Sequence, residues 1–312
     1  MRSDQRGAGS AGPQDEDERG AGSAGPQEER GAGSAGPQSK MKIAQISDIH
    51  CGHPMFDGEL LDHAIEEIIE LKPDLVVVAG DLTSEGYAPQ FRQAKRFLDR
   101  LDDLEMVVIP GNHDLMNVGF LHFRDSFGKS DSVVRIPFNP DEGNPNKWAT
   151  IVAINSSKPD LAEGEVGHTK YDWIRKAYEW PDDYRIFVIH HHLVPIPGTG
   201  RERNIVWDAG DVLALLAELE VDLVLSGHKH VPNVWQLGDM LLVNSGTASS
   251  YRVRGYTRPS YNVIEIDDHS LNVTQKYPGL GEIVAAQYVR GERKLTLNPQ
   301  LAGMFNRGAW SV

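Results

Sequence analysis

The chain has 312 residues, 40% hydrophobic and 24% charged, which is globular composition with room for one large domain or two small ones. Its formal charge of −14, from 45 Asp and Glu against 31 Lys and Arg, argues against a surface built to coat nucleic acid, although carboxylates that ligate divalent ions are not free surface charge. A single cysteine, Cys51, excludes an intramolecular disulfide. No apolar run reaches the roughly 18–20 residues that cross a bilayer and no signal-peptide layout opens the chain, so a soluble cytoplasmic protein is expected.

The first 40 residues repeat one unit. The segment Arg6 to Gln14, RGAGSAGPQ, recurs at Arg19 to Gln27 and at Arg30 to Gln38, with acidic spacers between. Gly, Ala, Ser and Pro bury too little to offset the entropy of ordering, so residues 1–40 are read as a disordered tail. Met41 opens a strand directly, and 41–280 is read as the folded domain. Ile43 to Ser47 is a buried strand; Leu60, Leu61, Ala64, Ile65, Ile68 and Ile69 follow at helical spacing, with Asp57 as N-cap. Leu75 to Ala79 is a central strand, Phe91 to Leu101 a helix, and Met106 to Ile109 and Ile151 to Asn155 strands. Tyr171 to Trp180 is helical, Ile186 to Ile189 a strand, Val212 to Leu219 a helix and Val221 to Leu225 a strand. Val234 to Leu237, Met240 to Asn244, Tyr261 to Ile266 and Leu271 to Tyr277 read as consecutive strands. This order predicts a layered α/β domain with two sheets. Residues 281–312 are an extension without a readable pattern.

The polar clusters fall where apolar strands stop. Ile46 is followed by Ser47-Asp48-Ile49-His50, Ala79 by Gly80-Asp81, and Ile109 by Pro110-Gly111-Asn112-His113-Asp114. Ile189 is followed by His190-His191-His192, and Leu225 by Ser226-Gly227-His228-Lys229-His230. Ligands of open α/β sheets bind outside the carboxyl ends of the strands, so five strands deliver Asp, His and Asn to one rim. Imidazole and carboxylate without thiolate suit Zn, Fe, Mn, Ni or Co. The i, i+2 spacing of Asp48/His50 and of His228/His230 places each pair on one side of an extended segment. Glycines 80, 111 and 227 allow tight turns and close backbone approach. One such cluster means little; five in order predict a metal site. Cys51 reads as a small buried hydrophobe. His53, His63, His122, His168 and His269 lie outside the clusters and read as surface or packing residues, His53 being the exception to watch because it follows the first cluster.

This ordered set resembles the calcineurin-like metallophosphoesterase superfamily, from about Met41 to at least Gly246. GNHD and the later NSGTAS and SYNVIEI segments resemble its class III cyclic-nucleotide phosphodiesterase branch. The resemblance implies a four-layer α/β/β/α sandwich of two mixed sheets flanked by helices, with a dinuclear metal site at the C-terminal rim of the strands. It implies Asp48, His50 and His230 as ligands of one divalent ion and Asn112, His228 and one His of the triple as ligands of the other. Asp81 bridges both. His190 directly follows its strand and is favoured, with His191 as the alternative. Asn112 and His113 are implied to face a small phosphate-ester substrate, and Arg252 and Arg254 are read, from their charge, as substrate-binding residues that offset the phosphoryl oxygens.

The implied chemistry is phosphodiester hydrolysis, with cyclic nucleotides among the substrates. Two ions about 3.5–4 Å apart generate a bridging hydroxide, and His113 assists the leaving group. A phosphomonoesterase or a nuclease on the same site is the nearest alternative. A non-catalytic binding scaffold on the same fold is the alternative of another class, and it requires missing ligands.

Overall fold

The computed structural model describes residues 40–138, 147–199, 205–254 and 257–300. The proposed tail, apart from Lys40, and the last twelve residues of the extension lie outside them. Strand β1 (Lys40–Ile46) is nearly all buried and runs parallel to β2 (Leu75–Ala79), whose sequence LVVVA is buried at every position. A β-branched run with no polar alternation belongs in a strand covered on both faces. Strand β3 (Met106–Ile109) adds parallel to β2.

Between them, α1 (Gly58–Leu71) begins where Asp57 Oδ1 accepts the amides of Glu59 and Leu60, and ends at Lys72 in the left-handed conformation. Its apolar stripe, Leu61, Ala64, Ile65 and Ile68, packs with Phe91, Ala94 and Leu98 of α2 (Ala88–Leu98) against the outer face of the first sheet. Truncating such a residue, for instance Ile65→Ala, costs about 2–5 kcal/mol.

The second sheet holds β4 (Ser132–Pro137), β5 (Trp148–Ile154), β6 (Tyr184–Ile189), β7 (Leu223–Ser226), β8 (Asn233–Leu237) and β9 (Met240–Asn244), in the order β4-β5-β6-β7-β9-β8. Its centre is parallel and its edges antiparallel. Helices α4 (Tyr171–Ala177) and α5 (Ala209–Glu218) cover its outer face through Ile174, Val212, Leu215 and Leu216. The inner faces of both sheets share one core, in which Ile43, Val77 and Ile109 meet Ile151, Val188 and Leu225. The four layers are therefore α/β/β/α, as expected.

Three features differ from the sequence reading. Helix α3 (Gly119–Phe127) and strand β4 fill a stretch in which no element was expected. The run of late strands divides, β8 and β9 joining the second sheet while β10 (Tyr261–Asp267) and β11 (Ser270–Tyr277) extend the first beyond β1. The unread extension supplies β12 (Gly281–Val289) and β13 (Lys294–Leu297), which complete the seven-stranded order β13-β12-β11-β10-β1-β2-β3. No helix among the described residues is long and apolar enough to cross a membrane.

Candidate metal centre

Five parallel strands end at one rim, three from the first sheet and two from the second. Below the rim the sheets are joined by buried amides. Gln45 Nε2 donates to Ser226 O at 3.0 Å, and Asn262 Nδ2 donates to Gln45 Oε1 at 3.0 Å. Above it the backbone leaves the strand conformation: Asp48, His50, Asp81, His228 and His230 have φ of 55°, 53°, 55°, 76° and 57°. The i, i+2 pairs therefore enter the cavity from left-handed turns. They do not lie along an extended segment, so the expected convergence occurs by a different geometry. A side chain on Gly227 would collide with Ser47 Oγ, and one on Gly111 with Asp81 Oδ1, so both positions exclude a Cβ.

The side chains form two linked clusters. In the first, His50 Nε2 lies 2.9 Å from His230 Nε2, and His230 Nε2 lies 3.3 Å from Asp48 Oδ1. In the second, Asn112 Oδ1 lies 3.0 Å from His228 Nδ1 and 3.3 Å from His190 Nε2. Asp81 stands between them, Oδ2 3.7 Å from His50 Nε2 and Oδ1 3.5 Å from His190 Nε2. Ring orientations are fixed from behind, since His190 Nδ1 donates to Ala79 O at 2.7 Å and His230 Nδ1 donates to Arg252 O. Each then turns Nε2 inward, which is how an outer hydrogen bond sets a ligand's tautomer.

His190 and His191 separate clearly in their surroundings. His191 Nε2 donates to Ala162 O at 3.1 Å, and its Nδ1 accepts from Ser156 Oγ at 2.8 Å, so both nitrogens are engaged away from Asp81. His113 Nδ1 donates to Ser84 O at 2.6 Å, and its amide donates to Asp81 Oδ1 at 2.9 Å. His113 borders a cavity of about 220 Å³ with Asp81, Asn112, His228 and His230, and Arg252 and Arg254 form part of its wall.

The electrostatics are those of buried charge. Burial opposes ionisation of Asp81, but His190 and His113 outweigh it and hold the carboxyl well below the usual range. Burial likewise opposes protonation of His190, and Asp81 reverses this, lifting His190 to about 9. His50 goes the other way, as burial takes it down to about 3 despite Asp81. Asp48 Oδ1 is buried without a hydrogen bond among the described residues. A buried carboxylate oxygen facing imidazole nitrogens is costly in that state and calls for a cation. The donor set of carboxylate, imidazole and amide oxygen fits a divalent transition metal. Four overlapping groups, among them Asp48/His50/His230 and Asp48/Asp81/His190, have ligand atoms within 4.8 Å of one another.

Several supporting residues carried no role in the sequence reading. Asp114, the last residue of GNHD, accepts from the amides of Leu82, Thr83 and Gly111 and from Thr83 Oγ1, clamping the Asp81 turn to the Asn112 turn. Thr247 Oγ1 donates to Asp48 O and Ser249 Oγ to Ile49 O, so the NSGTAS segment buttresses the first turn. Ala162 reaches the cavity from a loop that no motif marks. Cys51 is fully buried in the α1–α2 core, as expected. His53 lies at the edge, its ring 6.2 Å from that of His50 and its Nδ1 accepting from Met55 N.

An α/β/β/α sandwich with paired carboxylate and imidazole clusters at the strand ends defines a metallophosphoesterase. The family model of calcineurin-like phosphoesterases matches residues 41–232, and the chain belongs to that family, whose members hold a pair of divalent ions. It is similar to a probable cyclic nucleotide phosphodiesterase of Psychrobacter sp., 26% identical over 211 residues, which cover 64% of this chain and 55% of that protein. It thus spans about half the length of that relative. It is also similar to the 3′,5′-cyclic adenosine monophosphate phosphodiesterase CpdA of Escherichia coli, 23% identical over 62% of this chain and 70% of the other. In fold it resembles a dimetal phosphatase from Danio rerio, with a TM-score of 0.58, 12% identity and coverage of 78% and 98%.

Proposed function

We propose that the chain is a dinuclear metal-dependent phosphodiesterase acting on small phosphate esters, cyclic nucleotides among them. One observation carries the reading: the two oxygens of Asp81 face two separate clusters, His50 and His190, as a bridging carboxylate would. Asp48, His50 and His230 would hold one ion, Asn112, His190 and His228 would hold the other, and Asp81 would serve both. Divalent ions bound at this site would supply positive charge for the phosphoryl oxygens and lower the pKa of a water toward neutrality.

The chain's own residues do the rest. His113 Nδ1–H donates to Ser84 O, which leaves Nε2 as the ring nitrogen available to a substrate in the cavity. As the P–O bond to the leaving group breaks, a proton on Nε2 passes to the departing oxygen. Arg252 and Arg254 add positive charge to the cavity wall, where they would face the phosphoryl group or the remaining substituent of a diester. The cyclic-nucleotide reading is supported by relatives named as cyclic nucleotide phosphodiesterases, 22–26% identical to this chain.

The test is reconstitution with Mn, Fe, Zn, Ni and Co, elemental analysis, and assay on cyclic nucleotides, aryl diesters and aryl monoesters. Two equivalents of metal and diester turnover above monoester turnover are expected. Asp81→Asn should lower turnover by about 10²-fold or more. Monoester activity alone would overturn the diesterase reading, and a binding scaffold would show less than about half an equivalent of every metal.

A further inference from the structure

A second cavity, of about 480 Å³, opens between α3 and the C-terminal end of β5. It shares no lining residue with the metal-site cavity. A double tie stands between them: Asp160 N donates to Leu115 O at 3.4 Å, and Asn117 N donates to Asp160 Oδ1 at 2.7 Å. Its volume lies within the range of small-molecule sites.

Three kinds of group face this cavity. Phe120 and Phe123 form an aromatic wall, Phe123 fixed in the core and Phe120 45% exposed. Ser157 is 6% exposed, yet its Oγ has no hydrogen-bond partner among the described residues, and its own amide is already engaged by Asn155 Oδ1 at 2.8 Å. A buried hydroxyl left in this way is completed by a ligand or a water. The charges at the mouth are cationic in balance. Lys129 enters no ion pair among the described residues, and Arg124 meets only the exposed Asp125 at 3.8 Å. The one acid in the wall, Asp131, is neutralised by Lys170 Nζ at 2.9 Å and accepts the amide of Asn155 at 2.7 Å.

We propose that this cavity binds a small anion that carries an aromatic ring, of the class of a nucleoside monophosphate. The ring lies against Phe120, in the offset or edge geometry aromatic pairs adopt. Lys129 and Arg124 take the anionic group, and Ser157 Oγ donates to an acceptor on the ligand. No metal-site residue is involved, so the proposal stands or falls independently of the catalytic reading.

The test is calorimetric titration of the metal-loaded full chain with adenosine 5′-monophosphate. Inorganic phosphate is held at a level that saturates the metal site. A binding isotherm should persist, because phosphate lacks the ring. Lys129→Glu and Phe120→Ala, both at the surface, should each weaken it about tenfold or more. Each should leave the melting temperature and the turnover of an aryl diester without nucleotide unchanged. Adenosine should bind more weakly than its monophosphate. Absence of any isotherm under phosphate, or affinities within about twofold of wild type in both variants, would overturn the assignment.

Discussion

His50 and His230 face each other Nε2 to Nε2 at 2.9 Å, from turns 180 residues apart in the chain. Two imidazole lone pairs repel at this distance, so one of the two nitrogens carries a proton or the pair shares a cation. His230 is raised above its ordinary value because Asp48, 3.3 Å from its Nε2, outweighs burial. A proton on either nitrogen competes with a metal for the same lone pair.

Metal loading should therefore release protons. His190 is held at about 9, so it is protonated in metal-free protein at pH 7 and must be neutral as a ligand, and the upward shift of His230 works in the same direction. A raised pKa means that the proton is retained below about 9 and competes with metal there. Apparent affinity should rise with pH up to that value. Calorimetry in two buffers of different ionisation enthalpy measures the protons released; buffer-independent heats at pH 7 would contradict the ligand assignment.

The neighbouring histidines should behave as opposites. His190→Ala should leave close to one equivalent of metal in place of two. His191→Gln should keep both metals and lose about 1–3 kcal/mol of stability, because Ser156 and Ala162 lose well-formed partners. Elemental analysis beside a denaturant curve decides, and the reverse pattern would move the ligand to His191.

His113→Ala should slow turnover in proportion to the need for a proton. With an alkyl leaving group the loss should be about 10²- to 10⁴-fold. With p-nitrophenolate it should be much smaller, and both metals should remain bound. Equal losses across leaving groups would make His113 a positioning residue.

Cys51 should be inert in the native protein. Burial, and after it Asp114, pushes its thiol up to about 12, so at pH 8 only roughly one part in 10⁴ is thiolate. A thiol reagent should label it only after denaturation. Fast labelling of folded protein would show that α1 and α2 open readily over it.

How much of this was legible in the sequence differs by position. The strand-end clusters could be read because each breaks an apolar run, as where LVVVA gives way to Gly80-Asp81. The choice between His190 and His191 could not, because it depends on Ser156 and Ala162, which arrive from a loop 28 or more residues earlier. Asp114 was visible as a letter in GNHD, but its four donors come from two separate turns. The strands β12 and β13 escaped because their burial is irregular, with Val284 and Leu297 exposed, so no period of two marks them. Arg252 and Arg254 were named for their charge, and both border the cavity.

Five of the ten non-glycine residues with positive φ in the described chain are Asp48, His50, Asp81, His228 and His230. An L-residue in that conformation gives up about 1–2 kcal/mol, so the group together approaches the 5–15 kcal/mol by which a domain is stable at all. Each of these positions would be relaxed by glycine, which removes a metal ligand while easing the backbone. Loss of function is therefore the downhill direction for this architecture. A descendant could drift by a few steps into a sturdier and chemically silent fold without ever passing through an unfolded ancestor.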